Sequence, residues 1–515
     1  MNQARREFLQ DVGKGMLIAT IGSELAGDLG LAKAFADDGP TPLRYGRLER
    51  LIGPMQETAP DKLLPFLVDA VQRDGERPEE LLTAAALANA RTFGGEDYIG
   101  FHTMMALAPA FHMARELSAE RRLLPILKVI YRNSSRMQAK GGAKNEVLRT
   151  VNAGELPGQG GDVLVQEMRR KDLAGAEQTF AALVKKSPED AFNDLLYMVQ
   201  DQLDVHRIVM PYRAWDLLPL IGKEHAHTML RQSVHYCVMQ EKDHLVKHSD
   251  GPRALVPKLL DQHKLLGRPL GTRTPDDAWL ERLSDTIFRS TPEQAAEAAA
   301  AALAEGFAPD AIGEAISLAA NQLVLRDRGR PQGYENKPVG SVHGDGVGVH
   351  ACDTVNAWRN MARVSNARNR VVCLILGAYN VARDRGSWNS DFVKWEAYPR
   401  VEARDQIKAN EPAKLLEEAE AAIKNKDQAA ACAAVQRYGE LGHPSRPIFD
   451  LLLRYAISED GALHAEKYYR TVSEEFATTR PALRWRQLVA LARVTASEYG
   501  YPAPGYTDAC KLLKL

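Results

Sequence analysis

Apolar residues along this chain recur three and four positions apart with polar residues between them, while strand-like alternation of Val, Ile and Thr is scarce. A period of that length predicts helices. The abundance of alanine, the strongest helix former, points the same way. The chain reads as all-α.

The pattern also repeats. Residues 100–131 open with Gly100, Phe101 and His102 and carry Met113, Ala114, Arg115, Arg122 and Tyr131. Residues 348–379 open with Gly348, Val349 and His350 and carry Met361, Ala362, Arg363, Arg370 and Tyr379. The offset is a constant 248, with eight identities in 32 positions. The preceding helices match as well, one opened by Pro78 and Glu79, the other by Pro309 and Asp310. Proline suits a first helical position because its missing N–H would have no partner there. A second pair is visible in Lys171, Asp172 and Ala174 beside Lys426, Asp427 and Ala429, leading to His206 and His464.

The order is therefore A-B-A′-B′: A over about 60–140, B over 160–248, A′ over 290–386 and B′ over 405–500. Each unit is expected to be a helix, a loop, then a histidine that opens a helical hairpin. Gly/Pro-rich stretches near 140–161 and 267–275 separate A from B and half from half. The expected fold is a tandem duplication of helical-hairpin units, a closed or toroid-like array with pseudo-two-fold symmetry. Its halves are 37–270 and 271–515, the latter carrying a Gly/His loop over 326–350.

Composition adds limits. The chain has 515 residues, a net charge of -1 and no long basic run, so no nucleic-acid partner is expected. Five cysteines, far apart and never in CxxC spacing, argue against a disulfide framework or a cysteine zinc site.

At the N-terminus, Arg5 and Arg6 with Phe8 and Leu9 precede a mildly apolar stretch too short and Gly-rich for a stable span, followed by Ala34, Phe35 and Ala36. This resembles a twin-arginine (Tat) signal peptide over residues 1–36, which implies the Tat export machinery as a partner and a periplasmic destination.

The candidate chemistry lies in the recurrent His102, His206, His350 and His464. One histidine before a helix is ordinarily structural; four at equivalent places point to metal ligation or proton transfer. If the units close, the rings can converge on one transition metal: iron, zinc or manganese. If they stack as an open array, no single ion can bind all four. About 17 residues present in A′ and missing from A, near 326–346, bring His343 beside His350 and Asp353, a candidate catalytic set. His112, His235, Trp358 and Arg359 are candidates for a substrate pocket. No HExxH motif occurs.

A Gly-x-His opening to a long apolar helix, repeated in a helical chain, resembles the questin-oxidase type of Baeyer–Villiger-like proteins. The resemblance rests on the histidine-led helices alone, and an export signal departs from it. The expectation is an exported, metal-dependent oxidoreductase acting on a small organic molecule between the two halves. The alternative is a non-catalytic helical-repeat binding or scaffold protein.

Overall fold

The computed structural model describes residues 40–242, 250–386 and 392–515. The signal-like segment and the end of unit B at 243–248 lie outside the described residues. All regular structure within them is helical; the only β pairings are isolated bridges such as Pro42 with Arg149. No described helix is long and apolar enough to cross a membrane.

In chain order the α-helices are α1 (Glu49–Glu57), α2 (Pro60–Gln72), α3 (Pro78–Phe93), α4 (Tyr98–Arg115), α5 (Leu123–Ala139) and α6 (Gly160–Arg169). Next come α7 (Leu173–Lys186), α8 (Pro188–Gln200), α9 (Val205–Ile221), α10 (Ala226–Met239), α11 (Asp250–Gln262) and α12 (Asp277–Arg289). They are followed by α13 (Pro292–Ala304), α14 (Pro309–Arg326), α15 (Val347–Val364), α16 (Ala367–Arg385), α17 (Val401–Gln406) and α18 (Pro412–Lys424). The last are α19 (Gln428–Glu440), α20 (Arg446–Ser458), α21 (His464–Thr478), α22 (Trp485–Glu498) and α23 (Tyr506–Leu513).

Lys171 and Lys426 both take left-handed backbone, with φ of 60° and 58°. The next residue in each case, Asp172 or Asp427, caps the following helix through its carboxylate. The Asp N–H closes back on Glu167 O in one and on Ala422 O in the other, at 2.9 Å both times. Lysine is tolerated there because the bonds that end one helix and start the next hold the turn. Pro78, Pro188 and Pro309 each open the helix that precedes a histidine-bearing one.

Those histidine-bearing helices, α4, α9, α15 and α21, make a closed circuit in which each packs against the next in chain order and α21 returns to α4. The helix after each, α5, α10, α16 or α22, packs back on it. The four run side by side in one direction. Residues near their N-termini meet at His102, His206, His350 and His464. Further along, Arg213 of α9 meets Asn356 of α15 and Thr471 of α21 at one level. The surrounding helices bury Leu, Ile, Val and Ala. Charged groups are buried along the circuit as well, with Arg213, Asp353, Arg359, Lys467 and Glu475 all at 4% exposure or less, as are Arg91, Lys128, Arg231 and Arg493 on the surrounding helices. Burying charges is costly unless they pair, and on the inner helices Arg359 pairs with Glu475.

Candidate functional site: a histidine tetrad

Each imidazole is set by local backbone chemistry. Asp97 caps α4 by accepting from Gly100 N at 2.8 Å. One turn in, His102 Nδ1 donates to Tyr98 O at 2.6 Å. Asp204 caps α9, accepting from His206 N at 3.0 Å and Arg207 N at 3.1 Å. The same carboxylate oxygen faces His206 Nδ1 at 3.5 Å and accepts from Tyr236 OH at 2.7 Å. Burial raises the Asp204 carboxyl, but His206, the Tyr236 hydroxyl and Arg207 N–H together outweigh it and hold the group well below the usual carboxylate range.

His464 depends on strained backbone. Gly461, Ala462 and Leu463 are consecutively left-handed, with φ of 49°, 49° and 67°. Such turns cost about 1–2 kcal/mol for each residue with a side chain. This one points the imidazole inward from the first position of α21, with His464 Nδ1 donating to Ala462 O at 3.0 Å. Strain that the surrounding packing must maintain is characteristic of functional positions.

The four rings close a quadrilateral in chain order. Centroids lie 4.8 Å apart for His102–His206, 6.0 Å for His206–His350, 5.2 Å for His350–His464 and 5.2 Å for His464–His102. His350 Nε2 and His464 Nε2 are 3.1 Å apart. With Nδ1–H committed to a carbonyl, His464 presents a lone pair at Nε2, so His350 is the Nε2–H donor. His102 presents a lone pair in the same way, and Asp204 favours that tautomer in His206. The Nε2 atoms of His102 and His206 are buried without a hydrogen-bond partner.

Three of the imidazoles, His102, His350 and His464, are held neutral. Burial, then the positive charge of Lys467, depresses His102 and His464 well below the ordinary histidine value. Burial, then His206, brings His350 to about 3. Tyr98 covers the tetrad on one side, its ring 4.5 Å from His102 and 5.4 Å from His206, while 55% of the residue faces solvent. Phe101 stacks on His102 at 5.1 Å.

Below the tetrad runs a buried polar chain. Lys467, one turn past His464, is brought down to about 8 by burial, against the pull of Asp353 and Glu466. Asp353, one turn past His350, accepts from Thr471 at 2.7 Å, and burial raises its carboxyl. Arg213 reaches Thr471 and Asn356, each at 3.4 Å. Asn356 donates to Glu475 at 3.0 Å, and Glu475 pairs with Arg359.

The other expected residues lie elsewhere. His343 bonds Ser497 Oγ through Nδ1 at 2.8 Å and Asn336 O through Nε2 at 3.1 Å, so both its nitrogens are engaged away from the tetrad. Asp345 in the same loop pairs with Arg330 and Lys337. His235 sits between Glu96 at 3.2 Å and Glu177 at 2.5 Å. His112 faces Asp216 at 3.9 Å. Trp358 is core, its indole N–H donating to Asn380 at 2.9 Å. Arg359 lines a separate cavity. Sequence reasoning missed Tyr98, Asp204 and Lys467. Asp204 stands two residues before His206 and Lys467 three after His464, spacings that suit a cap and a shared helix face.

A tetrahedral ion with metal–nitrogen bonds of about 2.0–2.1 Å sets its nitrogens about 3.3 Å apart, close to the His350–His464 separation. Among the described residues, no group of three or more His, Cys, Asp or Glu donors stands in ready-made ligating geometry. No family model, curated protein or solved structure matches the chain.

Proposed function

We propose that the tetrad is a transition-metal centre, for iron, zinc or manganese, in an exported oxidoreductase acting on a small organic molecule. One observation carries the metal reading. His102 and His464 each commit Nδ1–H to a backbone carbonyl, His206 faces a carboxylate with Nδ1, and the Nε2 atoms of His102 and His206 are buried and unbonded. Metal-ligating histidines are held in this way, with one nitrogen hydrogen-bonded and the other aimed at the ion. In this reading the architecture is one helical module copied fourfold, A-B-A′-B′, closed so that each copy contributes one imidazole. A scaffold with its histidines strung along an open groove would set the rings far wider apart.

His102, His206, His350 and His464 would hold the ion, and His350 would turn its Nε2 from donor to ligand. The ion would supply a Lewis acid or a redox couple. Asp204 fixes the tautomer of His206. Lys467 offers a positive charge and a proton one turn below. Metal analysis of tag-free protein tests the reading: about one ion per chain is expected, lost in His350→Ala and His464→Ala.

A second reading has its own support. Four helix N-termini and Lys467 converge here, and positive helix ends favour anions. Without a metal, His350 Nε2–H and Lys467 would polarise an anionic oxygen of the substrate directly. Metal-free protein that binds such an anion through Lys467 would favour it.

A further inference from the structure

Where α14, α15 and α16 meet, about 13 Å along α15 from His350, a cavity of about 340 Å³ opens. Its lining is unlike the molecule's apolar seams, with Arg359, Arg363 and Arg370 beside Gly313 and the start of α14. The one acidic lining residue, Asp310, pairs with Arg363 at 2.9 Å and is 75% exposed at its side chain. Arg370 donates to Ala362 O at 2.8 Å and Arg363 O at 3.2 Å. A guanidinium has five N–H donors, so those two bonds do not exhaust it.

We propose that this cavity binds a small oxyanion, the phosphate or carboxylate group of a ligand, among Arg359, Arg363 and Arg370.

Three independent features support the site. Positive charge is crowded there: Arg359, 3% exposed, is lowered to about 9 by burial and next by the like charge of Arg363. An anion relieves that repulsion and accepts from the guanidinium N–H groups that Glu475, Thr478, Asp310 and Asn360 leave free. The N-terminus of α14, an 18-residue helix, opens on the cavity with Ala308 in the N-cap position and no side-chain cap. Pro309 has no N–H and Ala311 N–H is bonded to Ala308 O, so Asp310 N–H and the helix dipole are what favour negative charge there. Space is reserved as well, because a Cβ at Gly313 would stand 3.0 Å from Arg359 Nε. Glycine inside a helix is unfavourable, and here it leaves the guanidinium room at the cavity wall. Arg359 also pairs inward with Glu475, so an anion here would bear on one end of the buried chain beneath the tetrad.

The test is titration calorimetry on the full chain at constant ionic strength, with inorganic phosphate and acetate as probes. Saturable one-to-one binding is expected for phosphate, alone or with acetate. Phosphate alone points to a phosphorylated ligand; both point to oxyanions generally. Arg363→Met, at a partly exposed side chain, and Gly313→Ala, which favours the helix but crowds Arg359, should each weaken binding by about tenfold or more. Arg289→Met, on another surface, should leave it unchanged. No saturable binding of either probe, or binding indifferent to both cavity variants, overturns the proposal. It does not depend on the tetrad's metal, so the two readings fail separately.

Discussion

His350 and His464, 114 positions apart in the chain, face each other nitrogen to nitrogen at 3.1 Å. Two neutral imidazoles can share one proton at that distance. A metal ion would draw both lone pairs inward instead. Losing either ring should therefore affect the centre more than the fold. His350→Ala and His464→Ala are expected to keep the helical circular dichroism spectrum and lose at least about tenfold in metal affinity. Collapse of helicity in both variants would assign the rings a structural role.

Asp204→Asn separates cap from charge. Asparagine caps helices about as well as aspartate, so the melting temperature should change little. The amide no longer offers His206 a carboxylate, and metal affinity should fall about 10–100-fold. Equal affinity in the variant, measured with a competing chelator, would remove Asp204 from the account.

Tyr98 lies between His102 and solvent. Tyr98→Ala should speed metal removal by a chelator by about tenfold or more while leaving equilibrium affinity within about threefold, as expected of a barrier rather than a ligand. Unchanged removal kinetics would mean that the ion leaves by another route.

His235 provides a pH prediction away from the tetrad. Burial disfavours its charge, but Glu177 and then Glu96 more than compensate, and its folded value is raised above the ordinary histidine one. The imidazolium's contribution to stability is thus complete below the unfolded value of about 6.5 and is lost as pH rises through the higher folded value. Glu177→Gln should cost most near about pH 6, and the gap from wild type should narrow toward about pH 9. Urea unfolding across that range measures it; a gap that widens with pH would contradict the pairing.

The all-helical character was legible because three-to-four periodicity is a local signal. The likeness of the runs at Lys171 and Lys426 was legible as a repeat, but the left-handed turn and the aspartate cap they share were not read from it. The histidines were legible as a recurrent set, but their spacing in the chain contains no distances. Which rings meet depends on how α4, α9, α15 and α21 close, a tertiary fact. For the same reason the neighbourhood of His350 was misleading. His343 is seven residues away, yet its loop runs over to Ser497, while Lys467, far off in sequence, sits beneath the rings. Tyr98 opens α4 and carries no signal in the sequence, and only the fold sets it over His102. Trp358 and Arg359 are neighbours in the chain but point to a core bond and to a cavity wall.

X-ray absorption at the metal edge of tag-free protein, supplied with iron, zinc or manganese, tests the central claim most directly. The expected inner shell is dominated by imidazole nitrogen, at about 2.0–2.1 Å for zinc, and loses nitrogen in His464→Ala. An ion surrounded only by oxygen, or one whose shell is indifferent to that substitution, would contradict it.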